Sequence, residues 1–289
     1  MMKRIRLLIS LLVMLVAASG YAQDSYREVL KDYLKISQKE ASEKMLTQFH
    51  QLNPMFFEYK QGVDFDQLAT RFIDEQFGEI MADMTQDLFK KNNITESDMR
   101  QMMALMNTPE GEAYREHTTT WSKQFEEVLK EEMEQPLMSA MEGTPISSSV
   151  VANSDIPESY AKKFMQYFED NRSMDQFIGA FNQPLKMIGV EMPESFMEWM
   201  QNNVGTLAMN SAYGILTEAD LDYSAALSNY DFYHHIVDAT VNMTTENLMT
   251  RGLTMISKYV DWMKAQGISV SSMGEQALES IQQSFTTEE

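Results

Sequence analysis

Apolar residues return along this chain every three or four positions, and that period leaves little except α-helix open to it. Tyr26, Val29, Leu30, Tyr33 and Leu34 sit at the i, i+3, i+4, i+7, i+8 spacing of one helical face. Phe65, Leu68, Phe72, Phe77, Ile80, Met81, Met84 and Leu88 make a longer stripe, and Met99, Met102, Met103 and Met106 another. Tyr114, Trp121, Phe125, Val128 and Leu129 continue at similar spacing. A second set opens with Tyr160, Phe164, Tyr167 and Phe168 and goes on through Phe196, Trp199, Met200, Val204, Leu207 and Ala208. A long helical stretch is expected from about His234 to Lys264, with Gly252 as its weak point, and a last segment holds Met273, Ala277, Leu278, Ile281 and Phe285. Period-two alternation and Asn-Gly hairpin signals are missing from the sequence. The expected fold class is all-α: two similar helical bundles, or one pseudo-duplicated bundle.

The stretch from Gly143 to Ser154 is uncharged and rich in small, turn-prone and β-branched residues, so it reads as a linker. It divides the expected organisation into a first helical domain (24–142), a linker (143–154) and a second helical domain with a C-terminal helix (155–289). Beyond the linker, Asp155 and Glu158 are spaced as a capping box, with Pro157 suited to a first turn.

The two halves carry similar elements in the same order. Ile94-Thr-Glu-Ser-Asp-Met99 matches Leu216-Thr-Glu-Ala-Asp-Leu221; in each, a Thr (Thr95, Thr217) can cap a helix and an Asp three residues on (Asp98, Asp220) can return the bond. Tyr26-x3-Leu30-x2-Tyr33-Leu34 likewise parallels Tyr160-x3-Phe164-x2-Tyr167-Phe168. These parallels predict an internal repeat.

The run from Ile94 to Gly111, with its Thr-Glu-Ser-Asp start and its Thr108-Pro109-Glu-Gly111 end, resembles the domain of unknown function 2059 family of exported bacterial proteins. The resemblance covers residues 70–135 and extends more weakly to 192–265, where Asp231 and Tyr233 stand in place of the expected Pro and Gly. It implies an all-helical fold and no established activity. Within it, Thr108 would cap the next helix, Pro109 would take its first position, and Gly111 would allow close packing at the turn.

The chain opens with Lys3, Arg4 and Arg6, then an apolar run from Leu7 to Ala18, then Gly20-Tyr21-Ala22. A basic start, a short apolar stretch and a small-x-small site make a secretory signal, so residues 1–22 are expected to be a cleaved signal peptide and the mature chain periplasmic or secreted. The apolar run falls short of the roughly 20 residues of a membrane span, and the mature chain is expected to span no membrane. With no cysteine anywhere, there is no lipobox and no disulfide, so stability outside the cytoplasm rests on packing.

Removing the three basic residues of the signal leaves 20 Lys+Arg against 43 Asp+Glu, a formal charge of −23. Such a surface disfavours nucleic acid, whose phosphates call for a basic patch. Neither His-Glu-x-x-His nor Gly-x-Ser-x-Gly occurs, and a thiol nucleophile is excluded. The many methionines read as core filling, and Glu126, Glu127, Glu131, Glu132 and Glu134 as a solvated face. No cofactor or metal site is expected. The remaining candidates are His234 and Asp238, four apart on a helix, beside Tyr230 and Tyr233, as a surface or groove cluster. His50 and His117 read as isolated. Three functions follow in order: an exported non-enzymatic binding or scaffold protein for a protein or apolar partner; a carrier of a lipid-like ligand between helices; an enzyme of unrecognised type.

Overall fold

The computed structural model describes residues 25–147, 149–179, 191–246 and 248–286; the signal expected at 1–22 lies outside them. The protein is all-α. Twelve helical segments occur among the described residues: α1 (25–37), α2 (Lys39–Phe56), α3 (Phe65–Lys91), α4 (Glu96–Met106), α5 (Pro109–Met141), α6 (Glu158–Asp170), α7 (173–179), α8 (Glu194–Ala212), α9 (Glu218–Leu227), α10 (Asp231–Glu246), α11 (Leu248–Ala265) and α12 (Ser272–Thr286). The stretch expected to run on to Lys264 is α10 and α11, and Gly252 lies inside α11. No strand occurs among the described residues, and none of their helices is long and apolar enough to cross a membrane.

Helix boundaries follow local chemistry. Asp64 caps α3 by accepting the Gln67 amide at 3.0 Å, and Lys90 and Lys91 lie in its last turn, where cations complement the helix dipole. Asn93, at φ 58°, then turns the chain into α4. The expected capping box at Asp155 is not formed: α6 begins at Glu158 with Pro157 as its N-cap, while Asp155 donates its amide to Asn153 Oδ1 in the preceding turn.

The chain forms two compact units, one of residues up to Met103 together with those from Arg251 on, the other of Ala104–Thr250. This differs from the expected division into 24–142 and 155–289, and the reason is packing. In the second unit α5 buries Trp121, Leu129 and Met133 against α8, and α6 packs on α9 and α8. In the first, α12 packs on α2. Residues 143–154 therefore do not separate domains; they run within the second unit, where Ile146 and Val150 pack on its core.

The first unit is centred on Tyr259 of α11, which stacks on Phe49 (centroids 4.0 Å, interplanar 15°) and meets Phe57 edge-on. Its hydroxyl donates to Asn53 Oδ1 at 2.6 Å, so the one polar atom of a buried ring is satisfied. In the second unit Trp121 fills the same role, its indole N–H shared between the Ala208 carbonyl (3.2 Å) and Ser211 Oγ (3.0 Å).

Candidate functional site

Two regions bring chemistry-bearing side chains together, one in each unit. In the second unit the starting point is the cap of α9. Thr217 Oγ1 accepts the Asp220 amide at 3.2 Å, and Asp220 Oδ2 accepts both the Thr217 amide (2.7 Å) and its hydroxyl (2.6 Å). Asp220 is only 4% exposed, so its carboxylate needs partners. A third comes from α5: His117 Nδ1 lies 2.8 Å from the same Oδ2. The His117 side chain keeps 37% of its surface exposed and so links a buried carboxylate to solvent. His117, isolated by its sequence neighbours, is thus paired after all, with a partner 103 residues away that no local spacing could reveal.

One turn back on α5, partly buried Tyr114 lies among other hydroxyl-bearing side chains. Ser224 and Tyr167 lie near it, and its ring meets that of Tyr223 with centroids 5.2 Å apart. The Tyr233 hydroxyl donates to Asn171 Oδ1 at 2.6 Å, and Asn171 Nδ2 lies 3.5 Å from Ser224 Oγ. Burial raises the pKa of Tyr114, Tyr167 and Tyr233 well above the ordinary tyrosine value, and that of Tyr160 to about 12. At neutral pH these phenols therefore stay protonated; they are hydrogen-bonding posts, not bases.

The four residues expected to cluster divide. Tyr233 is buried and bonds to Asn171. His234 and Asp238 do not pair: His234 Nε2 lies 2.7 Å from the Ser228 carbonyl, while Asp238 takes the Arg172 guanidinium at 2.6 Å, with Arg172 also held by Asp175. The Arg172 guanidinium occupies the Asp238 carboxylate, and the carbonyl at the end of α9 takes the imidazole. Tyr230 is exposed and stacks on Phe232 with centroids 5.1 Å apart.

The helix starts named from sequence have these geometries. Thr95 and Asp98 form the same reciprocal bonds as Thr217 and Asp220, at 2.7 and 3.2 Å. Thr108 Oγ1 accepts the Gly111 amide at 3.0 Å, with Pro109 in the first position of α5. A Cβ on Gly111 would lie 2.2 Å from the Leu105 carbonyl oxygen and 2.9 Å from the Tyr223 hydroxyl, so this close approach requires glycine.

In the first unit the end of α2 meets the start of α12. Glu58 donates its amide to the Ser269 carbonyl (3.0 Å), and Ser271 donates to that of Phe56 (2.8 Å), forming a short antiparallel bridge around Phe57 and Val270. Ser271 Oγ donates to the Met55 carbonyl at 2.6 Å and accepts the Gly274 amide at 3.0 Å, capping α12. This braced corner carries Met55, Tyr59 and Met273, which are 50%, 87% and 57% exposed. Met273 belongs to the last apolar segment read from the sequence and Tyr59 to an aromatic-rich stretch, but the corner itself was not legible there, because Met55 and Met273 are separated by most of the chain.

Among the described residues no three His, Asp or Glu side chains converge as metal ligands would. No family model, no curated protein and no solved structure matches the chain.

Proposed function

We propose that the mature chain is an exported, non-enzymatic binding or scaffold protein, and that the corner formed by the α2 end and the α12 start receives a protein partner. One observation carries this reading: Met55, Tyr59 and Met273 project from two elements onto a single corner whose backbone is fixed by the Phe57–Val270 bridge and the Ser271 cap. Exposed apolar side chains gathered at one place mark interaction surfaces, whereas single ones are ordinary. Methionine adapts its shape to a partner, and tyrosine adds a large rigid face with a polar tip at little entropic loss. The strong negative charge favours a partner with a cationic rim.

Export rests on the basic and apolar opening of the sequence. Descent from a duplicated unit is supported by the recurrence of one hydrogen bond, from Tyr26 to Ile94 and from Tyr160 to Leu216. Kinship with the domain of unknown function 2059 family rests on the helix starts at Thr95 and Thr108.

The test is site-specific photo-crosslinking in the producing cell. A photoreactive residue at position 59 should give a discrete protein adduct, and one at exposed Asp87 should not. Equal or diffuse labelling from both positions overturns the reading. So does lipid retained in stoichiometric amount by the purified protein in native mass spectrometry, which would favour a carrier instead.

A further inference from the structure

Residues 143–154 lack charge, and the described residues among them lack regular structure, yet their main chain is held by side chains. Val150 donates its amide to Asn203 Oδ1 at 2.8 Å. Asn153 donates its amide to Asn210 Oδ1 at 2.9 Å, and Asn210 Nδ2 donates to the Val151 carbonyl at 2.9 Å, so a single amide group brackets residues 151–153 from both sides. Asn203 spends its own Nδ2 on the Trp199 carbonyl one turn back, at 2.8 Å, which fixes its oxygen toward the strap.

The spacing of the two asparagines fits this task. They are seven residues apart on α8, which is two helical turns and about 10.5 Å of rise. Three residues of extended chain, from Val150 to Asn153, cover about 10 Å. The helix and an extended peptide running parallel to it therefore come into register at these two positions. Asparagine is a poor helix former, yet two stand here on one face, and both are used to read main-chain groups.

Within residues 150–153, side-chain involvement is slight by comparison. Val150 packs on the core, but Val151 is 78% exposed, and Ala152 and Asn153 are also exposed. Recognition by the asparagines is thus of peptide backbone, with one β-branched anchor.

We propose that the α8 face around Asn203 and Asn210 is a peptide-binding groove, filled in cis by residues 150–153, that accepts in trans an extended, uncharged segment of another protein with a β-branched residue at the Val150 position. The cis segment has the advantage of tethering, which gives it a high effective concentration and makes it a built-in competitor. The inference is independent of the corner proposed above, which lies in the other unit.

The probe is a fluorescent synthetic peptide with the sequence of residues 144–156. Wild-type mature protein should bind it weakly. A variant with residues 149–153 replaced by Gly and Ser should bind at least tenfold more tightly, and adding Asn203→Ala and Asn210→Ala should reverse that gain. If the strap variant keeps its helical circular dichroism and binds no better than wild type, or if the asparagine changes leave its affinity unaltered, the proposal fails. A second measurement on the unaltered chain guards against a variant that does not fold. Hydrogen exchange at the Val150 and Asn153 amides should speed up when the unlabelled peptide is added in large excess. Unchanged exchange at both amides overturns the proposal.

Discussion

The Tyr160 hydroxyl donates to the Leu216 carbonyl across 3.0 Å, joining α6 to the residue just before the Thr217 cap of α9. In the other unit Tyr26 does the same to Ile94, just before the Thr95 cap, at 2.9 Å. Each bond satisfies a carbonyl at a helix entry where the chain turns. Tyr160→Phe and Tyr26→Phe should each lower stability by about 1 kcal/mol, because the carbonyl loses its partner while the ring's packing is kept. Urea unfolding of the two single variants and the double variant tests this.

The same burial sets a response to alkali. Tyr26, Tyr33 and Tyr160 are each pushed up to about 12, with desolvation as the main cause. The folded chain therefore holds these protons more tightly than the unfolded one, where a tyrosine ionises at about 10. Stability should be full below about pH 10 and fall as pH rises toward 12. Urea midpoints between pH 8 and 12 should trace that decline, and Tyr160→Phe should make it shallower.

Asp220 and Asp98 occupy equivalent caps in different surroundings. Asp220 is buried and also takes His117, while Asp98 is more exposed and serves Thr95. Asp220→Ala should cost about 2 kcal/mol, since it strands the Thr217 amide and the His117 ring together; Asp98→Ala should cost about 1 kcal/mol or less. Equal losses in denaturant unfolding would mean that the His117 link adds nothing.

Gly111 and Gly78 make a matched pair within helices. Alanine at Gly78 meets nothing within 4 Å, and helix propensity should raise stability there by about 1 kcal/mol. At Gly111 the added methyl would run into the Leu105 carbonyl, and the same substitution should cost about 2 kcal/mol or more. Opposite signs in thermal unfolding are the expected outcome.

Arg251 is a partly buried cation in an acidic protein. Its Nη2 donates to the Met84 carbonyl at 3.1 Å, its Nη1 has no acceptor among the described residues, and burial lowers its pKa. Arg251→Met keeps an unbranched apolar stem and removes the desolvated charge, so it should stabilise the protein by about 1 kcal/mol. Arg251→Lys should give no such gain, a contrast that urea unfolding can read.

Several of these features were legible before any coordinates. The face of Tyr160, Phe164, Tyr167 and Phe168 is buried as its spacing implied, and Thr217 with Asp220 forms the box that its three-residue separation suggested. Such signals are local: a cap or an amphipathic stripe is written within one or two turns of helix. The linker reading of 143–154 failed for the opposite reason. Its composition is that of a loop, and the two asparagines that hold it lie more than fifty residues away. The expected His234–Asp238 pair failed likewise, because Arg172 reaches Asp238 from a distant turn.

By itself, then, the sequence determined that the chain is helical, where α4, α5 and α9 begin, and which stripes along several helices are apolar. Tertiary structure alone decided which stripe meets which. Hydrophobic burial is non-directional, and one apolar helix face will serve another about equally well. Pairing is selected by groups whose bonds have direction: Tyr160 to Leu216, Tyr259 to Asn53, His117 to Asp220, Asn210 to the main chain of 151–153. Their partners lie tens to hundreds of residues apart, and no spacing along the chain records them.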